Sequence, residues 1–160
     1  MAGFSKSAIV IEVGSIAPNF NLQDQNLKYH SLSDYIGSWV IIYFYPKDDT
    51  FGCTAQACGI RDAQDKIINT KAIIFGISID SVESHKIFAN KYQLTFPILS
   101  DIKGKVSSSY NSLQNLFVTK IAKRNTFIID PDGNIAKIHY SVNPQKHSQM
   151  VLDELISLQQ

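Results

Sequence analysis

The chain has 160 residues, 44% hydrophobic and 18% charged, with a formal net charge of +1. That balance excludes a disordered polymer, and with neither sign in a long block it gives no reason to expect nucleic acid or an acidic membrane surface as a partner. Two cysteines are too few for a disulfide-stapled secreted scaffold, and no segment approaches the ~18 apolar residues a membrane span needs.

The short apolar run Ala8 to Val13 is interrupted by Glu12 and followed by no small-residue cleavage site, so no signal peptide is expected and the default location is cytoplasmic. Ile16 to Leu22 reads as a short edge strand, Gln23 to Asn26 as a turn, and Leu27 to His30 as the returning arm of a hairpin. Ser31 is placed to cap a short helix that reaches Tyr35 and stops at Gly37. Trp39 to Phe44 is apolar at every position, the pattern of a central strand covered on both faces. Pro46 ends it, a polar loop follows to Gly52, and a helix is expected from near Cys53 to about Ile68, with Thr50 a candidate cap.

Ala72 to Ser78 is a second buried strand, and Asp80-Ser81 opens an amphipathic helix ending near Tyr92. Phe96 to Leu99 reads as a short extended piece and Lys103 to Tyr110 as a short helix, while Asn111 to Lys123 has no readable pattern. Thr126 to Asp130, a turn at Pro131-Asp132-Gly133, and Asn134 to Tyr140 form a hairpin, followed by a helix over Gln145 to Leu158. Helices alternating with buried strands, then a hairpin, predict one α/β domain over residues 1–160 with a central mixed sheet.

The chemistry concentrates in Tyr45 to Cys58, where the chain leaves a central strand and enters a helix, a favoured position for sites in α/β proteins. Cys53 falls in the first helical turn, whose free N–H groups favour the thiolate, the form in which a thiol reacts. Thr50, three residues earlier, can offer a hydroxyl to that sulfur or to a bound oxygen. Two inert core cysteines are the competing reading, since free cysteine is commonly buried. On one regular helix Cys53 and Cys58 differ by a rise of about 7.5 Å and a Cα separation on the order of 8–9 Å, beyond the roughly 4.4–6.8 Å a disulfide spans. A bond between them therefore requires the first helical turns to unwind.

Arg124, just before the strand from Thr126, is a candidate to hold a guanidinium beside Cys53; alone, its sequence context fits a solvated surface arginine equally well. Lys120, Lys123 and Arg124 together read as a solvated loop. His30, His85, His139 and His147 have no metal-ligand spacing relative to the cysteines, and they read as surface or packing residues.

The run Tyr43-Phe44-Tyr45-Pro46-Lys47-Asp48-Asp49-Thr50, then Gly52-Cys53-Thr54, Cys58 and Arg61-Asp62, closely resembles the active-site region of the peroxiredoxins. Within them it resembles the bacterioferritin comigratory protein, or peroxiredoxin Q, subfamily, with the Pro-x-x-x-Thr-x-x-Cys core intact as Pro46, Thr50 and Cys53. The resemblance extends through Ala17 to Phe20, Gly76-Ile77-Ser78 with Asp80-Ser81, His85-Lys86-Phe88, Leu99 to Asp101 and Arg124 to Asp130, nearly the whole chain from Gly14 onward.

It implies a thioredoxin-like fold and reduction of hydrogen peroxide and organic hydroperoxides. In it Cys53 is the peroxidatic residue and Cys58 the resolving residue of an intramolecular disulfide. Thr50 and Arg124 hold the peroxide, Pro46 shields the thiolate, and thioredoxin or a similar dithiol protein is the reductant. No metal or organic cofactor is implied, and a monomer is favoured over a dimer. The chain departs from the family at Phe51, where a second proline is usual, at Gln56 for glutamate and at Asn125 for serine, and it keeps the pattern weakly between Asp101 and Arg124. Two alternatives remain: a dithiol oxidoreductase acting on protein disulfides, and a redox-sensing or holdase protein whose function survives loss of Cys53.

Overall fold

A computed structural model describes residues 10–160; Ala8 and Ile9 of the N-terminal apolar run lie outside the described residues. The organising element is β3 (Trp39–Phe44), buried at five of its six positions. Its alternating side chains feed two cores. Ile41 and Tyr43 meet Ile60, Ile67, Phe88, Val151 and Leu155 on one face. Val40, Ile42 and Phe44 meet Phe20, Leu32, Phe75, Tyr110 and Phe127 on the other.

Before β3, β1 (Asn21–Gln23) and β2 (Tyr29–Ser31) pair antiparallel with Leu22 opposite His30, the hairpin expected from the turn residues. Pairing begins only at Asn21; Ile16 makes an isolated bridge to Asn134, and Pro18 between them has no N–H to donate. A 3-10 turn over Leu32–Tyr35 follows, but Ser31 does not cap it with its side chain, because that hydroxyl donates to Asn21 Oδ1 at 3.0 Å.

After β3 come α1 (Phe51–Asp62), α2 (Gln64–Asn69), β4 (Ala72–Ser78), α3 (Val82–Tyr92) and β5 (Ile98–Ser100). The single helix expected to Ile68 is broken at Ala63, whose N–H is shared between the Gly59 and Ile60 carbonyls at 3.1 and 3.2 Å, the tightening common at helix ends. The rest is α4 (Lys105–Ser109), β6 (Leu113–Leu116), β7 (Thr119–Ala122), β8 (Thr126–Ile129), β9 (Ile135–His139) and α5 (His147–Leu158).

The central sheet has the order β5-β4-β3-β8-β9; β4 runs parallel to β3 and β5, while β8 and β9 are antiparallel to their neighbours. This is the mixed, helix-flanked, thioredoxin-like α/β sheet expected. The unreadable stretch holds a separate hairpin, β6 with β7. Among the described residues no helix is long and apolar enough to cross a membrane.

Candidate active site

β3 delivers the chain to the carboxyl edge of the sheet, where Tyr45 stays buried, its amide donating to the Ile77 carbonyl at 3.0 Å. The loop from Pro46 to Thr50 is then tied down by a cluster that sequence reasoning missed. Asp48 is almost fully buried; its Oδ1 accepts from Tyr45 Oη at 2.6 Å, and its Oδ2 accepts from Ser84 Oγ at 2.8 Å and lies 2.7 Å from His85 Nδ1. Asp48 N donates to Asp80 Oδ2 at 2.9 Å, and the far nitrogen of His85 faces the Leu99 carbonyl at 3.0 Å.

Asp48, Asp80 and His85 offer ligating atoms all within 4.8 Å of one another. Those atoms are already committed to each other and to Ser78, Ser84 and Tyr45, so the cluster is satisfied as a hydrogen-bonded clamp. Burial first, and the neighbouring Asp48 charge second, push the Tyr45 hydroxyl well above the ordinary phenol range, so it remains a donor.

The next residue, Asp49, adopts φ 57°, a left-handed conformation that aspartate tolerates better than most residues. Its exposed carboxylate accepts from Lys91 Nζ and Tyr92 Oη, both at 2.7 Å, and these bonds hold it below the usual carboxylate range.

Thr50 is the N-cap residue of α1 by backbone, yet its side chain makes no cap bond, because Oγ1 donates to the Lys47 carbonyl at 3.0 Å. That turn leaves the hydroxyl's lone pairs free to accept.

Cys53 is in the first turn of α1 and 1% exposed. Arg124, 71 residues away, donates from Nη2 to Cys53 Sγ at 3.3 Å and from Nη1 to Gln56 Oε1 at 2.7 Å. The guanidinium is thus turned inward, not outward with Lys120 and Lys123 as its sequence neighbourhood suggested. Gly52 makes room for it: a Cβ there would lie 3.2 Å from Arg124 Nη2 and 3.4 Å from Pro144 Cγ.

Pro46 and Arg124 border one open groove of about 610 Å³ with Ile121, Ala122 and Val142, so these two expected site residues share a wall. Phe51 is 83% exposed and borders a separate hollow with Asp49, Thr54, Ala55 and Tyr92. Asn125 is buried, donating to Ser112 Oγ at 3.1 Å and accepting from the Ser141 amide at 3.1 Å, which anchors the backbone next to Arg124.

Cys58 is half-buried on the same helix as Cys53, and both thiols are free. Of the two readings expected for the histidines, surface or packing, three of them take the second. His30, His85 and His147 are buried and hydrogen bonded at both ring nitrogens, His30 by the nearby Asp24 and Tyr35, His85 and His147 by partners that include residues from distant segments. His139 is half-buried beside Glu154.

A thioredoxin-like sheet carrying a cysteine in the first turn of a helix, with a guanidinium bonded to its sulfur, defines a thiol-based redox protein. The AhpC/TSA family model matches residues 13–138, and the chain belongs to that peroxiredoxin family, within the bacterioferritin comigratory protein and peroxiredoxin Q subfamily. The chain is 41% identical over 160 residues to chloroplastic peroxiredoxin Q of Sedum lineare, covering 98% of this chain and 86% of that one. It is 43% identical over 138 residues to the Triticum aestivum protein of the same name, covering 86% of this chain and 63% of that one.

Peroxidoxin BcpB from Mycobacterium tuberculosis superposes with a TM-score of 0.87 at 30% identity, over 93% of this chain and 99% of that one. A cysteine-to-serine mutant of Xylella fastidiosa PrxQ superposes with a TM-score of 0.89 at 27% identity, over 94% and 99%. The protein is a thiol peroxidase that reduces small peroxides by cysteine redox chemistry and is renewed by a thioredoxin-type reductant.

The cytoplasmic location expected from the sequence is overturned: the Sedum lineare and Triticum aestivum relatives and five further plant relatives are named chloroplastic. Few cysteines argue against an oxidising exterior but do not distinguish one reducing compartment from another.

Proposed function

We propose that Cys53 is the peroxidatic nucleophile and Cys58 the resolving thiol within the same chain, in one thioredoxin-like domain that works as a monomer. The Cys53 thiolate attacks the distal oxygen of a hydroperoxide; the O–O bond breaks and the other oxygen leaves as water or an alcohol after taking a proton. Cys53 becomes a sulfenic acid. Cys58, as thiolate, then attacks the Cys53 sulfur, the sulfenic hydroxyl leaves as water with a proton, and the disulfide forms. A thioredoxin dithiol exchanges with it and restores both thiols.

Arg124 holds the charge that develops on the peroxide oxygens, Thr50 accepts from or orients the bound peroxide, and Pro46 walls the sulfur from solvent. Hydrogen peroxide and organic hydroperoxides are both substrates, and the groove bordered by Pro46 and Arg124 has room for an alkyl chain. Nucleic acid and membrane play no part.

The observation that carries the assignment is the 3.3 Å bond from Arg124 to the Cys53 sulfur. The mechanism also needs α1 to unwind: both cysteines lie on one helix in the reduced form. Thioredoxin-coupled peroxide consumption by wild type, Cys53→Ser and Cys58→Ser, with mass by light scattering, is the test. Loss of turnover in both variants and a monomeric mass are expected; turnover retained in Cys53→Ser defeats the assignment.

A further inference from the structure

Behind Arg124 lies a buried chain of hydrogen bonds that the reaction scheme does not use. Gln56 on α1, Thr126 on β8 and His147 at the start of α5 are each at most 1% exposed. Gln56 lies 2.7 Å from Arg124 Nη1 through Oε1 and 3.2 Å from His147 Nδ1 through Nε2, and His147 Nε2 lies 2.8 Å from Thr126 Oγ1.

Elementary donor and acceptor rules fix the direction of this chain. A guanidinium only donates, so Gln56 must present its oxygen to Arg124. Its amide nitrogen then faces His147, and that nitrogen also only donates. His147 Nδ1 must therefore be bare, and the ring proton sits on Nε2, where it donates to Thr126. Each partner determines the next.

We propose that Gln56 and His147 form a one-way positioning relay, anchored on Thr126, that aims the Arg124 guanidinium at the Cys53 sulfur. The relay rests on the reading of Cys53 and Arg124 as the reacting pair.

The choice of glutamine gives the relay its character. A carboxylate at position 56 would accept equally from Arg124 and from a doubly protonated imidazole, and would share the arginine's charge. Gln56 accepts only on one side and brings no charge, so it admits only the neutral ring and leaves the guanidinium's charge directed at the sulfur. A proton on His147 Nδ1 would confront the Gln56 N–H and force the amide to turn its oxygen away from Arg124.

The surroundings keep that proton off. Burial, then the nearby His139 on β9 and Arg124, hold His147 down to about 3. The Tyr43 ring from β3 packs against it at 5.2 Å, and Lys146 adjoins it at the start of α5.

Long-range proton–nitrogen NMR of the reduced wild-type protein reads the tautomer directly. We expect the neutral Nε2–H form of His147 throughout roughly pH 5 to 8, the range in which a free imidazole titrates. In Gln56→Glu the ring should become doubly protonated in the lower part of that range. An Nδ1–H tautomer or a cationic ring in the wild type would overturn the relay.

Kinetics supply the second arm. His147→Gln can offer an oxygen to Gln56 and an N–H to Thr126, whereas His147→Leu can offer neither. On the order of tenfold loss of kcat/KM for hydrogen peroxide is expected in the leucine variant, and within about threefold of wild type in the glutamine variant. Equal rates for the two would also overturn it. Activity retained in Cys53→Ser, run alongside, would defeat the underlying assignment while leaving the tautomer result standing, so the two failures are distinguishable.

Discussion

Replacing Arg124 by leucine removes the two bonds that join it to Cys53 Sγ and Gln56 Oε1 while keeping an apolar side chain over the first turn of α1. A hydrogen bond to a charged partner contributes about 1.5–3 kcal/mol, and a preorganised donor aimed at developing charge about 2.7–4 kcal/mol. Arg124 is only half-buried, so water screens part of its field and the top of the combined range is not reached. A loss of about 2–3 kcal/mol in transition-state stabilisation corresponds to roughly 30- to 150-fold in kcat/KM, at tenfold per 1.36 kcal/mol.

The orphaned Gln56 oxygen adds a stability cost of about 1–3 kcal/mol, so the rate is to be measured where a urea curve shows the variant folded. Stopped-flow mixing of reduced enzyme with hydrogen peroxide, following the first oxidation of Cys53, isolates the step. Arg124→Lys should recover only part of the loss, because a single ammonium cannot span both acceptors as the guanidinium fork does. A loss below about threefold in the folded leucine variant would refute the view that this contact drives the reaction.

Three further outcomes are expected. Gly76→Ala should lower stability by about 1–3 kcal/mol in urea denaturation, since its Cβ would fall 2.8 Å from Tyr43 Cζ and Oη and 3.1 Å from Ile98 Cγ2. An unchanged midpoint would mean that Tyr43 shifts freely. His85→Leu removes one hydrogen-bond partner of the buried Asp48 and should cost about 1–3 kcal/mol, with His85→Gln recovering part of it; equal urea midpoints for the two would count against the clamp on the Pro46 to Thr50 loop.

His147 is held neutral down to about 3, whereas its ordinary value is 6.5. The unfolded chain therefore takes up this proton first, so the contribution of His147 to stability is complete above pH 6.5 and is lost as pH falls toward 3. The difference in urea midpoint between wild type and His147→Gln should shrink across that window; a difference independent of pH would contradict the burial of a neutral ring.

β3 and β4 were legible to the residue because Trp39 to Phe44 and Ala72 to Ser78 are apolar runs buried in the middle of the sheet, where pattern and burial coincide. The β6–β7 hairpin was not, since Gln114, Asn115, Thr119 and Lys120 are exposed and the two strands pair only with each other, leaving no alternation to read. Cys53 and Thr50 announced themselves through their position after a strand, but the bond between Cys53 and Arg124 spans 71 residues, and pattern alone weighed it evenly against a solvated arginine until the family resemblance tipped it. The Asp48–His85 clamp and the Gln56–His147 contact join residues 37 and 91 apart. Periodicity reports whether a side chain faces a core, not which distant polar group it meets there, so buried histidines were read as ordinary ones.

The central claim is that Cys53 takes the peroxide oxygen and Cys58 resolves it. Intact mass and peptide mapping after a single equivalent of hydrogen peroxide, on wild type, Cys53→Ser and Cys58→Ser, test it most directly. A Cys53–Cys58 disulfide within one wild-type chain, an added oxygen on Cys53 in Cys58→Ser, and no oxidation of Cys53→Ser at that dose are expected. Oxygen found first on Cys58, or a disulfide joining two chains in the wild type, would contradict it.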